Sequence, residues 1–201
     1  SGRIMTVSAI YFTGRLINRA AEIMRAHATH VTGTIGGAGI IQELYEGYAP
    51  KVTLLTQYYS GIFSNAPAYI QDYGMVITNN SFGTVTDDCF YNGLYDLTSR
   101  ILDQQAIDLP ELQQVFASGN NGTLNCAPYP AGFRTVLGGY QSAKNVLTVG
   151  STNYQSNVSS FSSRGPVRDG RLKPEIMSMG EFTASTWTSN AYSYNNGTSM
   201  A

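Results

Sequence analysis

Charge is scarce in this chain. Only 12% of its 201 residues are Asp, Glu, Lys or Arg, about half the usual share in a soluble domain. The 12 basic and 13 acidic residues are spread out and leave a formal net charge of -1. No basic field exists to hold nucleic acid or an anionic membrane surface, so neither is expected as a partner. Two cysteines and two histidines are too few for a Cys/His zinc site, and no metal or cofactor is expected. No run of about 18 apolar residues is present to span a membrane. No basic-then-apolar leader opens the sequence, so any export signal is expected outside this stretch. Gly (21) and Tyr (14) fill much of the space that charge leaves. The length suits one domain with a substantial core. Cys89 and Cys126 permit one disulfide or two buried thiols.

Short runs rich in branched residues alternate with helical patterns. Val52–Gln57, Met75–Thr78, Val115–Ala117 and Val146–Val149 read as strands buried on both faces. Tyr91–Asp108 reads as an amphipathic helix with Leu94, Leu97, Ile101 and Leu102 on one side and Pro110 just past its end. Ala66–Tyr73 is a shorter helix. Strands alternating with helices predict an α/β fold, a doubly wound, mostly parallel sheet with helices on both faces. Ligands gather at the carboxyl ends of such strands, which directs attention to "NNSFG", "SGNNG" and "GSTN".

His27 and His30 lie in "HATHVTGT". A histidine alone is more often structural than catalytic. His27, however, opens a stretch of small residues that lets a helix start press on its neighbours, and a helix N-terminus disfavours imidazolium. Ser199 sits among small residues after Gly197, the uncrowded approach a nucleophile needs. Asn120 beyond a buried strand is either an oxyanion donor or a turn residue beside Gly119 and Gly122.

"HATHVTGTI", "NNSFG", "FASGNNG", "FSSRGPVRDGRLKPEI" and "NNGTSMA", in this order, resemble the subtilase (subtilisin-like) serine peptidases. The likeness runs from about Gly14 to Ala201. Five motifs in order are specific, whereas any one alone is weak. "DDCFYNG" with "TLNCAPY" resembles a bacterial, exported branch, which implies a secreted or cell-envelope location. The resemblance implies His27 as general base, Ser199 as nucleophile, and Asn120 with the Ser199 N–H as oxyanion hole. It implies that Ser81, Phe82 and Gly83 form an edge pairing with an extended peptide or protein substrate. Ala117, Ser118 and Gly119 would wall the pocket for the residue before the scissile bond.

Some features depart from the pattern or have a plainer reading. The glycine expected after the catalytic histidine is Ala28, and the usual Ala-Pro-Gly after "KPEI" reads "MSMG", with Met179 for proline. The orienting aspartate of a subtilase is missing ahead of His27, where Glu22 is the first acidic residue and a poor substitute. With "SG" at the start and Met200-Ala201 at the end, residues 1–201 are expected to be a partial catalytic domain truncated at both ends. On this reading the remainder of the parent chain is its partner, and the piece alone is inactive. The competing reading is a non-catalytic, peptide-binding relative. Asp87-Asp88 is expected as a solvated turn rather than a calcium site, with structural calcium, which the resemblance allows, left open for the parent chain and unassigned; "RDGR" (168–171) is a turn, and "GTIGGAG" (33–39) is close packing rather than a phosphate loop.

Overall fold

The computed structural model describes residues 11–19 and 25–201, so Glu22 and the first ten residues lie outside the described residues. The chain forms two compact units, Ser1–Tyr58 with Phe182–Asn195, and Tyr59–Glu181 with Asn196–Ala201.

In the first unit, β1 (Leu16–Asn18) pairs in parallel with β2 (Leu54–Thr56). The predicted strand at 52–57 is thus shorter, and of its three paired residues only Leu54 is buried. Helix α1 spans Ala26–Gly36, with no side-chain cap at Arg25 and no acidic residue in its first turn. Its small residues allow close packing, as expected. A β-carbon on Gly33 would fall 2.1 Å from Thr186 Oγ1, and one on Gly36 3.0 Å from Leu54 Cδ1. Thr186 belongs to a hairpin absent from the sequence reading, β7 (Thr183–Trp187) antiparallel to β8 (Ala191–Asn195). Ser185 Oγ and Thr186 Oγ1 donate to the carbonyls of His30 and Thr29, both at 2.8 Å. Tyr11, Phe12 and Leu54 form this unit's core.

The second unit holds a parallel sheet of β3 (Ile77–Asn80), β4 (Gln113–Ala117), β5 (Leu147–Thr152) and β6 (Ile176–Met179), side by side in sequence order. Only β5 is largely buried. The expectation of burial on both faces fails for the strand near 75–78. Ile77 is 60% exposed, because β3 is an edge of this sheet. At the other edge, β6 is exposed throughout and includes Met179, so "MSM" is paired strand. Lys173 ties this edge inward. Its buried Nζ donates to Val146 O and Thr148 Oγ1 and pairs with Glu175, while burial lowers its pKa against the opposing pull of Glu175.

Helix α2 (Ala66–Tyr73) forms as predicted and ends at Gly74, whose φ of +63° favours glycine. Helix α3 spans Leu97–Asp108 and starts later than predicted. A capping box sets its start: Ser99 N–H donates to Asp96 Oδ1 (3.1 Å) and Asp96 N–H to Ser99 Oγ (3.3 Å). Its inner face is also more polar than expected. Leu102 is fully buried, but Leu97 is 72% exposed and Ile101 is exposed as well. Ser99 and Asp103 turn inward instead, because their bonds are satisfied there. Ser99 Oγ donates to Gly139 O, and Asp103 accepts from the N–H groups of Lys144 and Asn145 and from Tyr95 OH. Leu102 joins Phe116, Ile62, Ala143 and Val146 in the core. Burying side chains such as Leu102 and Phe116 contributes roughly 1.5–3 kcal/mol each. Cys89 and Cys126 form a disulfide with Cα atoms 5.5 Å apart.

Candidate active site

Two loops leave the carboxyl ends of β3 and β4, and in the second unit the residues around Ser199 meet both. Gly119 has φ +108° and Gly197 φ +154°, backbone states that favour glycine. Between them lies a bonded set. Thr198 N–H donates to Asn120 Oδ1 (3.0 Å), Thr198 Oγ1 donates to the same oxygen (3.1 Å), and Gly119 N–H donates to Thr198 Oγ1 (3.2 Å). A backbone N–H can only donate, so the Asn120 atom it meets must be the carbonyl oxygen. That fixes which end of the amide is Nδ2. Nδ2 has no partner among the described residues. A β-carbon on Gly197 would stand 3.5 Å from Asn120 Nδ2 and 3.7 Å from Ser199 N. Two donors therefore border one small volume kept clear by the missing side chain at 197.

The 81–83 strip lies beside this volume. Ser81 Oγ donates to Ser199 O (3.1 Å), and Ser199 Oγ donates weakly to Ser81 O (3.4 Å). The next carbonyl turns away: Phe82 O accepts from Nε2 of the fully buried Gln141 (2.8 Å). Gln141 thus ties the strip down at Phe82, while Ser81 bonds to Ser199. The Phe82 ring packs on Phe116 and Tyr140. On the opposite strip Ala117 is half-buried, and Ser118 is buried with Oγ turned to Ser163 O (3.3 Å). The Ser118 side chain is thus turned into the protein. Ser199, Asn120, Ser81 and Gly119 are brought together. Thr198 and Gln141 belong with them, and the sequence reading missed both.

His27 belongs to the first unit. It stands exposed in the first turn of α1, and partial desolvation by the surrounding protein lowers its pKa below 6.5. No carboxylate among the described residues bonds its ring. His30 contrasts with it. Its buried Nε2 lies 3.0 Å from Thr183 O and 3.1 Å from Ser193 O. Two carbonyls can only accept, so Nε2 carries the proton. Burial lowers the His30 pKa, with the two carbonyl bonds opposing, and Nδ1 is buried without a partner among the described residues. His30 pins α1 to the hairpin, a structural role.

Among the described residues no group of three His, Cys, Asp or Glu side chains converges to hold a metal ion. Asp88 Oδ1 accepts from Phe90 N–H (2.8 Å), which makes 87–88 a turn. Asp169 pairs with Arg171 across Gly170, which makes 168–171 another.

The subtilase family's sequence profile matches residues 18–201. Subtilisin DY of Bacillus licheniformis is 29% identical over 187 residues, covering 87% of this chain and 58% of that protein. A solved cold-adapted subtilisin-like serine proteinase superposes with TM-score 0.62 at 23% identity, over 95% of this chain and 65% of its own. The CspB protease of Clostridium perfringens superposes with TM-score 0.70 at 16% identity, over 90% of this chain and 68% of its own. The chain has the subtilisin-like α/β fold. The chain spans less than two thirds of the length of subtilisin DY, so it corresponds to part of that relative. With a profile match over most of its length, the chain belongs to the subtilase family.

Proposed function

We propose that the protein is a serine endopeptidase of extracytoplasmic location. Its substrate is an extended peptide or protein segment lying along the Ser81–Gly83 edge. Ser199 Oγ attacks the scissile carbonyl carbon while the His27 imidazole takes the hydroxyl proton. The resulting oxyanion accepts hydrogen bonds from Asn120 Nδ2 and the Ser199 N–H. The C–N bond breaks as His27 returns the proton to the leaving amine. Water then attacks the ester carbonyl, again with His27 as base, releasing the acid and Ser199.

The observation that carries this reading is the Asn120 amide. Its oxygen is bound by Thr198, so its two N–H bonds are left for the space that the Ser199 N–H also borders. Preorganised donors of this kind stabilise charge that develops only in the transition state. The lowered His27 pKa keeps the ring neutral, and so a base, near neutral pH. The Cys89–Cys126 disulfide supports an oxidising compartment. Residues 1–201 contain no aspartate ahead of His27. On that ground we propose that they turn over about 10^4-fold more slowly than a chain with a complete triad.

A fluorophosphonate probe applied to the full-length protein tests the assignment. Labelling is expected in the parent and lost in Ser199→Ala, together with peptide hydrolysis. Peptide binding without labelling would favour the non-catalytic relative instead.

A further inference from the structure

We infer that Leu137 is a specificity-determining residue that restricts the position before the scissile bond to small side chains. This deepens the proposed peptidase reading and rests on it. In that reading the side chain before the scissile bond enters between the Ser81–Gly83 and Ala117–Gly119 strips. Gly83 and Gly119 offer no side chains, so the slot looks roomy in sequence.

The structure fills it from one side. A β-carbon on Gly119 would stand 2.5 Å from Leu137 Cγ and 3.0 Å from Leu137 Cδ1. A β-carbon on Gly83 would stand 2.8 Å from the same Cδ1. One methyl group therefore reaches both strips, and the leucine spans the gap between them.

The leucine is also held in place. Its N–H donates to Ser118 O on one wall (3.1 Å), and its carbonyl accepts from Ser142 Oγ (3.0 Å). It is 2% exposed. Swinging it aside for a large substrate group would disturb packing from which interiors give up space reluctantly. Glycine, alanine or serine before the scissile bond needs no such displacement, whereas a phenylalanine ring does.

The test measures kcat/KM of the full-length protein on two peptides that differ only in Ala or Phe before the scissile bond. The parent is expected to favour Ala by about ten-fold or more, the scale on which pocket size discriminates. Leu137→Ala is expected to move the Phe-to-Ala ratio by about ten-fold or more toward Phe. Hydrolysis with a parental ratio near one, or favouring Phe, overturns the inference and leaves the peptidase reading standing. So does a ratio that Leu137→Ala leaves unmoved. If the variant fails to fold, the parental ratio decides alone. A full-length protein that hydrolyses neither peptide and resists the fluorophosphonate overturns the peptidase reading and this inference together.

Discussion

Asn120 and His27 stand at two extremes of support. Asn120 lies in a loop, yet its amide oxygen accepts two bonds from Thr198, itself tied to Gly119. His27 lies on a regular helix, yet its ring has no bonded carboxylate among the described residues, and the N-cap residue Arg25 makes no side-chain cap bond. Secondary structure is therefore a poor guide to preorganisation. What matters is how many directional bonds fix the reacting group, and each unit must be judged on its own. Within the first unit the same contrast recurs three residues apart, where His30 is locked by two carbonyls and His27 stays open.

Asn120→Ala should lower kcat by about 10^2–10^3 with little change in KM, the loss known for removing one such donor from a subtilisin. An unchanged kcat would mean that Nδ2 meets no developing charge. Thr198→Val keeps the shape and removes the hydroxyl that links Gly119 to Asn120. A lost bond of about 1–1.5 kcal/mol predicts a fall in kcat of roughly ten-fold. In an Asn120→Ala background the same change should add little, since the two act as one unit. Full additivity would break the argument that Thr198 works through Asn120.

The smallest effect concerns pH. Burial depresses the pKa of His30 in the folded state, so the unfolded chain takes up the proton first. The stability linked to this ring is fully present above about pH 6.5 and is lost as pH falls toward the folded value. His30→Gln keeps a donor for the carbonyls and cannot titrate in this range. Its Tm is expected to fall less steeply than the parent's between pH 6.5 and 5, with a residual slope from His27, which shifts in the same direction. Parallel Tm curves would remove His30 from the account.

Much of this was legible in sequence, and for identifiable reasons. Gly119-Asn120 and Gly197-Thr198-Ser199 mark turns in a few letters, but their roles came from the resemblance of five ordered motifs, since Asn120 by itself also reads as a turn residue. Strands β3, β4 and β5 were legible from branched runs and α2 from its own pattern, whereas β6 was not read as a strand. Thr198's bond to Asn120 spans 78 positions, and no local pattern encodes it. Gln141 reads as an ordinary polar residue until Phe82 O is seen to need a donor. Leu137 reads as core until two distant glycines converge on it. The start of α3 was misplaced because Leu94 extended the apolar period backwards, whereas Asp96 with Ser99 makes the cap. The missed hairpin did leave a trace. Ser189 and Asn190 both have positive φ, and asparagine favours that state in tight hairpin turns. Edge strands such as β3 cannot be told from central ones before pairing is known, so the burial of Ile77 was overestimated.

The most direct test is a crystal structure of the full-length protein with a peptidyl boronic acid bound. The account predicts a covalent bond from Ser199 Oγ to boron and one boronate oxygen about 2.7–3.1 Å from both Asn120 Nδ2 and Ser199 N. A ring nitrogen of His27 should lie within hydrogen-bond reach of Ser199 Oγ. A boronate oxygen facing away from Asn120, or His27 on a separate surface, would contradict it.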